Sequence, residues 1–477
     1  MYSIINYIGT AIGVVSTLLI YPKDKVFLGT VRYVENIAQL LYPVMVLGAS
    51  HALIKFYPTL DEQKKRQLFN YSLASISVIS IIVFSGILLY GTFAEDENSM
   101  LFFYAFPVAV SLAFIELFRK QAQDLQKLAV PTLFEKIIPK VVLPLLFIAL
   151  FAKILGVFQS LFLYALAYII IFLITGMYLF RHYKPGFNYR FSTLFGSISR
   201  KDYFRYSLYA FAGSIGSLLA FRIDGIFIFN LISEEANGTF NIGVNLASTL
   251  QIPAIGMFAL YAPIISGYLQ DDNFTDLNVK YKETARLLFF IGAVFFSCVV
   301  LGVEDLFRLL PTYEQLKGSI PVIFILGFSV LINMATGFNT EIITYSKYYK
   351  FNMVAILTLV GVNIALNLLF IYHTDLGFIG VAIASFISMT LFNLSKLIFI
   401  YKKFRLLPFD AAFFKLAAVF ALSGVLCYFL PGFTNPLADL VFNTGLSLTI
   451  NITTVYRLRL VYQVNVWIDK VIDKFKR

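Results

Sequence analysis

Charged side chains are scarce in this chain. They make up 14% of its 477 residues, whereas hydrophobic residues account for 59% and the mean hydropathy is +0.79. A soluble globular chain carries roughly a quarter charged residues and just under half apolar ones. The composition therefore excludes a soluble enzyme and predicts a protein whose apolar surface faces lipid.

Residues that build metal and disulfide sites are equally few. The two cysteines, Cys298 and Cys427, lie inside apolar runs, and there are only three histidines. Neither type forms a cluster with ligand spacing, so we expect no zinc or haem site. The chain also lacks a phosphate-binding glycine loop and a nucleophile elbow, which leaves an ATP-driven pump or a hydrolase without support. We expect a protein that is not an enzyme and holds no resident cofactor.

Long apolar runs, by contrast, fill the chain. A helix that crosses a bilayer needs about 20 mostly apolar residues. The runs predict an all-α polytopic membrane protein with fourteen spans, at residues 4–20, 30–50, 68–91, 100–118, 137–152, 157–180, 204–232, 239–264, 286–303, 318–343, 352–372, 377–400, 411–430 and 436–456.

The net charge of +11 is explained by the orientation of the chain in the membrane, because its basic residues are distributed unequally between the two faces. With fourteen spans, one face receives only Lys23, Lys25, Arg32, Lys153, Arg308 and Lys317, and the spans contain Lys140, Arg222 and Lys415. Every other basic residue, Lys396 included, is assigned to the opposite face, which the positive-inside rule makes cytoplasmic. Lys23 and Lys25 alone favour the reverse orientation, but the other loops outweigh them. We predict cytoplasmic termini and no nucleic-acid partner.

Weak internal similarity indicates a repeat. At an offset of 204 residues Gly9 aligns with Gly213, and at an offset of 210 Pro43 aligns with Pro253. We predict two parallel six-helix lobes with a site at their interface near the midplane of the membrane. The predicted divisions are 1–200, 201–405, 406–456 and a tail at 457–477. Apolar residues of the tail recur every three or four positions around Trp467, which predicts an interfacial amphipathic helix on the cytoplasmic leaflet.

Polar side chains within spans are costly and usually face a cavity or another helix. Because an anion is the natural partner of a partly desolvated guanidinium, Arg32 and Arg222 favour a cavity role. The predicted substrate-binding residues are Arg32, Asn36, Gln39, Arg222, Asn241 and Asn245. Helix packing is the alternative for the asparagines, and pairing with Asp224 is the alternative for Arg222. Ion coupling or helix pairing is predicted for Glu35, Glu116, Lys140, Asp224 and Glu341.

Three stretches resemble a known family: residues 9–58, residues 222–248 with "RIDGIFIFNLISEEANGTFNIGVNLAS", and residues 363–388 with "NIALNLLFIYHTDLGFIGVAIASFIS". The chain resembles the multidrug/oligosaccharidyl-lipid/polysaccharide (MOP) exporter superfamily, particularly its polysaccharide branch, the Wzx-type O-antigen flippases. It departs from that pattern at Leu19-Ile20-Tyr21, where a basic residue is missing, and at Gly225, where members often carry a second arginine.

The resemblance implies transport across the bacterial inner membrane. Its expected substrate is an undecaprenyl-diphosphate-linked oligosaccharide, moved between leaflets by alternating access and coupled to an H⁺ or Na⁺ gradient. Expected partners are this polyprenyl-diphosphate-linked glycan, membrane lipids and the polysaccharide polymerase machinery. A cation-coupled multidrug antiporter, which needs a dominant intramembrane acid, and a lipid II flippase, expected to carry more arginines, remain alternatives.

Overall fold

The structure is a computed structural model that describes residues 2–93, 98–186 and 190–475. All regular elements in these residues are helices, which confirms the predicted all-α class. The chain forms two compact units, unit 1 at Met1–Gly238 and unit 2 at Thr239–Arg477. This division does not test the predicted repeat, so the lobe boundaries stay a prediction.

Unit 1 begins with long helices joined by short connections. Its elements are α1 (Tyr2–Leu19), α2 (Lys25–Val46), α3 (Ala49–Phe56), α4 (Glu62–Phe93), α5 (Ser99–Asp124), α6 (Ala129–Phe151), α7 (Val157–His182), α8 (Phe191–Leu194) and α9 (Arg200–Leu231), followed by the first residues of α10 (Glu234–Thr249).

Unit 2 contains the rest of α10 and ten further helices. These are α11 (Ile252–Gln270), α12 (Phe274–Arg308), α13 (Tyr313–Leu316), α14 (Ile320–Ala335), α15 (Asn339–Tyr345), α16 (Lys350–His373), α17 (Gly377–Phe404), α18 (Ala411–Tyr428), α19 (Pro436–Arg457) and α20 (Tyr462–Phe475).

Each predicted span coincides with at least one helix. By length and hydropathy, eight helices of the described residues are able to cross a membrane, and ten if each of two bent pairs counts as one span. The protein is thus a multi-pass membrane protein, and the count of fourteen spans stays a prediction.

Three predicted spans are interrupted, which corrects their description as continuous helices. The span at 239–264 divides into α10 and α11, and the span at 318–343 divides into α14 and α15. In the span at 30–50, α2 ends just before Leu47, whose φ is 43°. The helix α3 follows, and the chain bends by 48° between α2 and α3. Gly48 follows with a φ of +77°. Two left-handed residues in succession end a right-handed helix, and glycine is the residue that enters this region without strain.

The core of unit 1 is centred on α2, which packs against α5 on one side and α9 on another, while α5 packs against α7. The start of α2 is fixed by its cap, because the Asp24 carboxylate accepts a hydrogen bond of 2.8 Å from the backbone N–H of Phe27. This arrangement places the polar stripe of α2 among helices of the protein.

The core of unit 2 surrounds α12, which packs against α14, α18 and α19. Helix α20 joins this core through Val464, which is buried with Leu416 and Val455. Trp467 is exposed, as an interfacial anchor requires. Lys476 and Arg477, the end of the predicted tail, lie outside the described residues.

Gly48 provides a test of this fold. A Cβ at this position would overlap the backbone of Ser207 on α9. We expect Gly48→Ala to lower the unfolding free energy by about 1–2 kcal/mol or more, from left-handed strain plus that overlap. Thermal unfolding of the purified protein measures it. Gly86→Ala on α4, with open space around it, is the control and is expected to be neutral or stabilising; equal destabilisation by both would contradict the contact.

Candidate functional site

Helices α2 and α9 lie side by side in unit 1. The rings of Tyr33 and Phe229 stack with centroids 3.9 Å apart and planes 11° from parallel. The Tyr33 hydroxyl donates a hydrogen bond of 3.2 Å to the Asn230 side-chain oxygen. A stacked pair with a satisfied hydroxyl fixes the rotation of α2 relative to α9.

At one end of this contact, α2 meets the start of α10 through two glycines. A Cβ on Gly29 would overlap the carbonyl oxygen of Glu234, and a Cβ on Gly238 would overlap that of Lys25. The Asn237 amide donates a hydrogen bond of 2.8 Å to the Gly29 carbonyl. Lys25 and Glu235 add an ion pair of 2.7 Å. Helix backbones approach this closely only where small residues meet, so the two glycines close this end of the contact.

The opposite end is closed by α3. Gly48 lies against the Ser207 backbone, and the His51 ring nitrogen is 3.5 Å from the Ser214 hydroxyl. Glu116 of α5 accepts a hydrogen bond of 3.0 Å from Ser50 and also lies 3.5 Å from His51. Glu116 therefore pairs with residues of α3, and its predicted role in ion coupling or helix pairing stays a prediction.

Between the two ends, α2 carries a buried ion pair. The Arg32 guanidinium lies 2.5 Å from the Glu35 carboxylate, and the two side chains are only 18% and 13% exposed. Gln39 donates a hydrogen bond of 3.3 Å to the same carboxylate. The Nε of Arg32 is buried and has no hydrogen-bond partner. The predicted stripe thus brings Arg32, Glu35 and Gln39 together on one face of α2.

Arg222 lies opposite this stripe, where α9 bends by 51°. It is half-buried and close enough to interact electrostatically with Glu35. Among the described residues, no acidic side chain lies within 4.0 Å of it, so the alternative pairing with Asp224 is not observed. A partly desolvated guanidinium without an acidic partner is suited to bind an anion.

Lys140 of α6 extends this cationic region. It interacts electrostatically with Arg32, and no acid of the described chain lies within 4.0 Å of its Nζ. Gly9 of α1 leaves the space that its side chain occupies. Three cations, at positions 32, 140 and 222, therefore accompany two acids, Glu35 and the buried Asp224. The hydroxyls of Tyr21 and Tyr164, which also interact with Arg32, were not predicted.

The predicted asparagines separate into two groups. Asn36 is buried against Gly225, where a Cβ would overlap its side-chain nitrogen. This packing leaves no room for a side chain at position 225. Asn241 is buried and Asn245 half-buried in the part of α10 that belongs to unit 2, so they are described apart from the Arg32 site.

Unit 2 has polar and apolar features of its own. Glu341 of α15 interacts electrostatically with Lys396 of α17, which is only 3% exposed. Lys396 is therefore not a loop residue, which corrects its assignment to the cytoplasmic face. Nearby, α12, α14, α17 and α18 enclose a cavity of about 740 Å³ lined almost entirely by apolar side chains. Among the described residues, no group of His, Cys, Asp or Glu is placed to hold a metal ion.

Comparison with known proteins identifies the family of the chain. A family model described as "Polysaccharide biosynthesis protein" matches residues 24–269, slightly more than half of the chain. The chain belongs to this family. Membership of the MOP superfamily, which the sequence resemblance implies, stays a prediction that the shared fold of the solved structures below supports. Sequence comparison with curated proteins finds no match.

Solved structures share the fold at low sequence identity. The lipid II flippase MurJ in an inward closed conformation is 13% identical with a TM-score of 0.70, and the alignment covers 96% of this chain and 99% of that one. An inward-facing MATE multidrug transporter is 15% identical, with a TM-score of 0.64 and coverages of 83% and 94%. A MOP superfamily transporter from Pyrococcus furiosus is 15% identical, with a TM-score of 0.55 and coverages of 84% and 95%. At these identities the likeness shows the fold alone.

The glycine contact between α2 and α10 is testable by chemical labelling. We expect Gly29→Leu to keep these helices apart and to raise the rate at which a water-soluble maleimide labels Asn36→Cys by roughly tenfold or more, since overpacking costs about 1–3 kcal/mol. Cys298 and Cys427 are replaced by alanine in the test protein.

The control for this experiment is Gly13→Leu on α1, where a side chain meets open space. Its labelling rate should equal that of the parent. An unchanged rate in the Gly29→Leu variant would show that the two glycines do not close the site.

Proposed function

We propose that the protein is a flippase that moves an undecaprenyl-diphosphate-linked oligosaccharide, such as an O-antigen repeat unit, from the inner to the outer leaflet by alternating access. The observation that carries the proposal is Arg222, a half-buried guanidinium that faces the Arg32–Glu35 pair but makes no ion pair within 4.0 Å among the described residues. A diphosphate supplies the negative charge that this region lacks, and its oxygens match the planar donors of arginine. Membership of the polysaccharide biosynthesis family supports the proposal that the substrate contains a glycan.

The two closed ends suggest how the site opens. Lys25 and Glu235 are 21% and 59% exposed, and exposed pairs of this kind stabilise by only about 0–1 kcal/mol. The contacts at that end also include backbone packing and a hydrogen bond from Asn237 to the Gly29 carbonyl. Alternating access would separate α2 from α10 at one end and from α9 at the other in turn, so that one site is exposed to each side.

The cavity in unit 2 suits the lipid portion of such a substrate. Its volume is about 740 Å³, and its few polar lining side chains include Ser297, Thr336, Thr390 and Asn393. An isoprenoid chain is apolar throughout and needs no hydrogen-bond partners. We propose that this cavity is able to hold part of a polyprenyl chain.

Two alternatives have specific predictions. A multidrug antiporter needs an available acid in its binding region, whereas Glu35 is already paired with Arg32. A lipid II flippase is favoured by the fold shared with MurJ. Deletion of the gene distinguishes the three functions. It should abolish surface glycan if the protein is an oligosaccharide flippase, sensitise cells to toxic cations if it is a multidrug antiporter, and cause lysis if it is a lipid II flippase.

Replacement of the arginines tests the binding region. We expect Arg222→Ala and Arg32→Ala to lower export of surface glycan by about 10- to 100-fold, since a hydrogen bond to a charged group contributes about 1.5–3 kcal/mol. Arg222→Lys should retain part of the activity, because it keeps the charge but loses the bidentate geometry.

Arg205→Ala, an exposed arginine on the same helix α9, is the matched control and should export normally. Protein levels in the membrane are measured for every variant. Normal glycan export by both alanine variants would refute the assignment of the diphosphate to this region.

We also propose that the protein lies in the inner membrane with both termini in the cytoplasm and works beside the polymerase that joins glycan units. Fusions after Lys153 and Lys184, on the two sides of α7, test this orientation. Alkaline phosphatase should be active only after Lys153, and green fluorescent protein should fluoresce only after Lys184. The reverse pattern would place the termini outside.

A further inference from the structure

Lys396 is buried in an unusual setting. Its side chain is 3% exposed within α17, and its Nζ donates a hydrogen bond of 2.7 Å to the Thr340 hydroxyl. The same Nζ lies 3.7 Å from the centroid of the Phe392 ring. Among the described residues, no carboxylate lies within 4.0 Å of it. One hydroxyl and one aromatic face compensate poorly for the water that a buried ammonium loses.

The group that faces Lys396 is also poorly compensated. Glu341 of α15 interacts electrostatically with Lys396, yet its Oε2 is buried and has no hydrogen-bond partner. Helix-pairing acids and bases in a membrane interior normally satisfy each other directly. Glu341 and Lys396 interact without an ion pair within 4.0 Å, and one carboxylate oxygen has no hydrogen-bond partner, so neither charge is fully compensated.

The pair lies at the interruption between α14 and α15. Gly337 there has a φ of +61°, and the Asn339 amide donates a hydrogen bond of 3.1 Å to the Asn393 side-chain oxygen of α17. Thr340, the acceptor for Lys396, lies in α15 as well. The charge of the pair therefore acts on a short helix that is joined to its neighbours through a few polar contacts.

The other helices that pack on α15 add little charge. From α12 the Tyr281 hydroxyl faces Glu341 and has no hydrogen-bond partner. The titratable residues of α11 are Tyr261 and Tyr268, which face Lys280. In α16 Lys350 is exposed, and α14 has no titratable side chain. Glu341 and Lys396 thus determine the local charge.

We propose that Glu341 and Lys396 together bind and release one proton, and that this exchange couples the proposed transport to a proton gradient. The pair holds one proton whether it exists as ammonium and carboxylate or as amine and carboxylic acid. Uptake of a second proton from water gives ammonium and carboxylic acid, with a net charge of +1. The binding of the proton follows from the geometry of unit 2 alone; only the coupling rests on the proposed function.

Infrared difference spectroscopy of the purified full-length protein between pH 5 and pH 9 tests the proton site. The wild-type protein should show a carboxylic-acid C=O band that disappears as the pH rises. Glu341→Gln should lose this band, and Lys396→Met should move its midpoint by about one pH unit or more. The matched control is Glu283→Gln on α12, whose carboxylate is paired with Lys280 at 3.2 Å, and it should retain the band. A spectrum that Glu341→Gln leaves unchanged would overturn the proposal.

The coupling role is tested in cells with the double variant Glu341→Gln/Lys396→Met. Replacing a buried ionisable pair by neutral groups of similar size leaves a protein folded, so the variant should reach the membrane at wild-type levels and export at least tenfold less surface glycan. Normal export by this variant would overturn the coupling while the infrared result stands. Normal export by Arg222→Ala would instead refute the diphosphate assignment and leave the proton site intact.

Discussion

Unit 1 depends on a backbone contact that only glycine permits. Gly29 and Gly238 let α2 approach the start of α10 until each glycine touches a carbonyl of the other segment. Apolar side chains are no better solvated by each other than by lipid tails, so close packing and hydrogen bonds hold membrane helices together. The approach aligns α2 with α9 and sets the Arg32–Glu35 pair opposite Arg222. Without it, Arg222 on α9 would not face the Arg32–Glu35 pair on α2.

The two units contrast in chemistry. Unit 1 gathers guanidinium, ammonium, carboxylate and phenol groups on helices that are otherwise apolar. Unit 2 contains the large apolar cavity and, at one interruption of its helices, the separated Glu341 and Lys396. The proposed substrate, a lipid-linked glycan, would combine an anionic, hydrophilic head with a long hydrocarbon chain. Each unit contains one of the two corresponding environments.

Much of this arrangement could be read from the sequence, and the physical reason for each failure is identifiable. The spacing of Arg32, Glu35 and Gln39 places them on one face of α2, and their presence in an apolar run indicates a protein-lined environment. The sequence does not show which helix that face meets, so it left both substrate binding and helix packing open for Asn36, which the structure places against Gly225. Lys396 lies close to a basic loop, and a count of charges between spans cannot distinguish a buried lysine from a cytoplasmic one. The breaks at Gly48 and Gly337 were also missed, because hydropathy averages over the residues that adopt positive φ.

The Arg32–Glu35 ion pair lies within a single helix, three residues apart. When α2 tilts away from α9, both partners move together and their attraction is retained, whereas Arg222 stays behind on α9 and loses the carboxylate that it faces. In the proposed transport cycle, this movement would leave one half-buried guanidinium without a nearby carboxylate, and a bound diphosphate would compensate it. The proposed charge arrangement thus disfavours the conformational change in the absence of substrate.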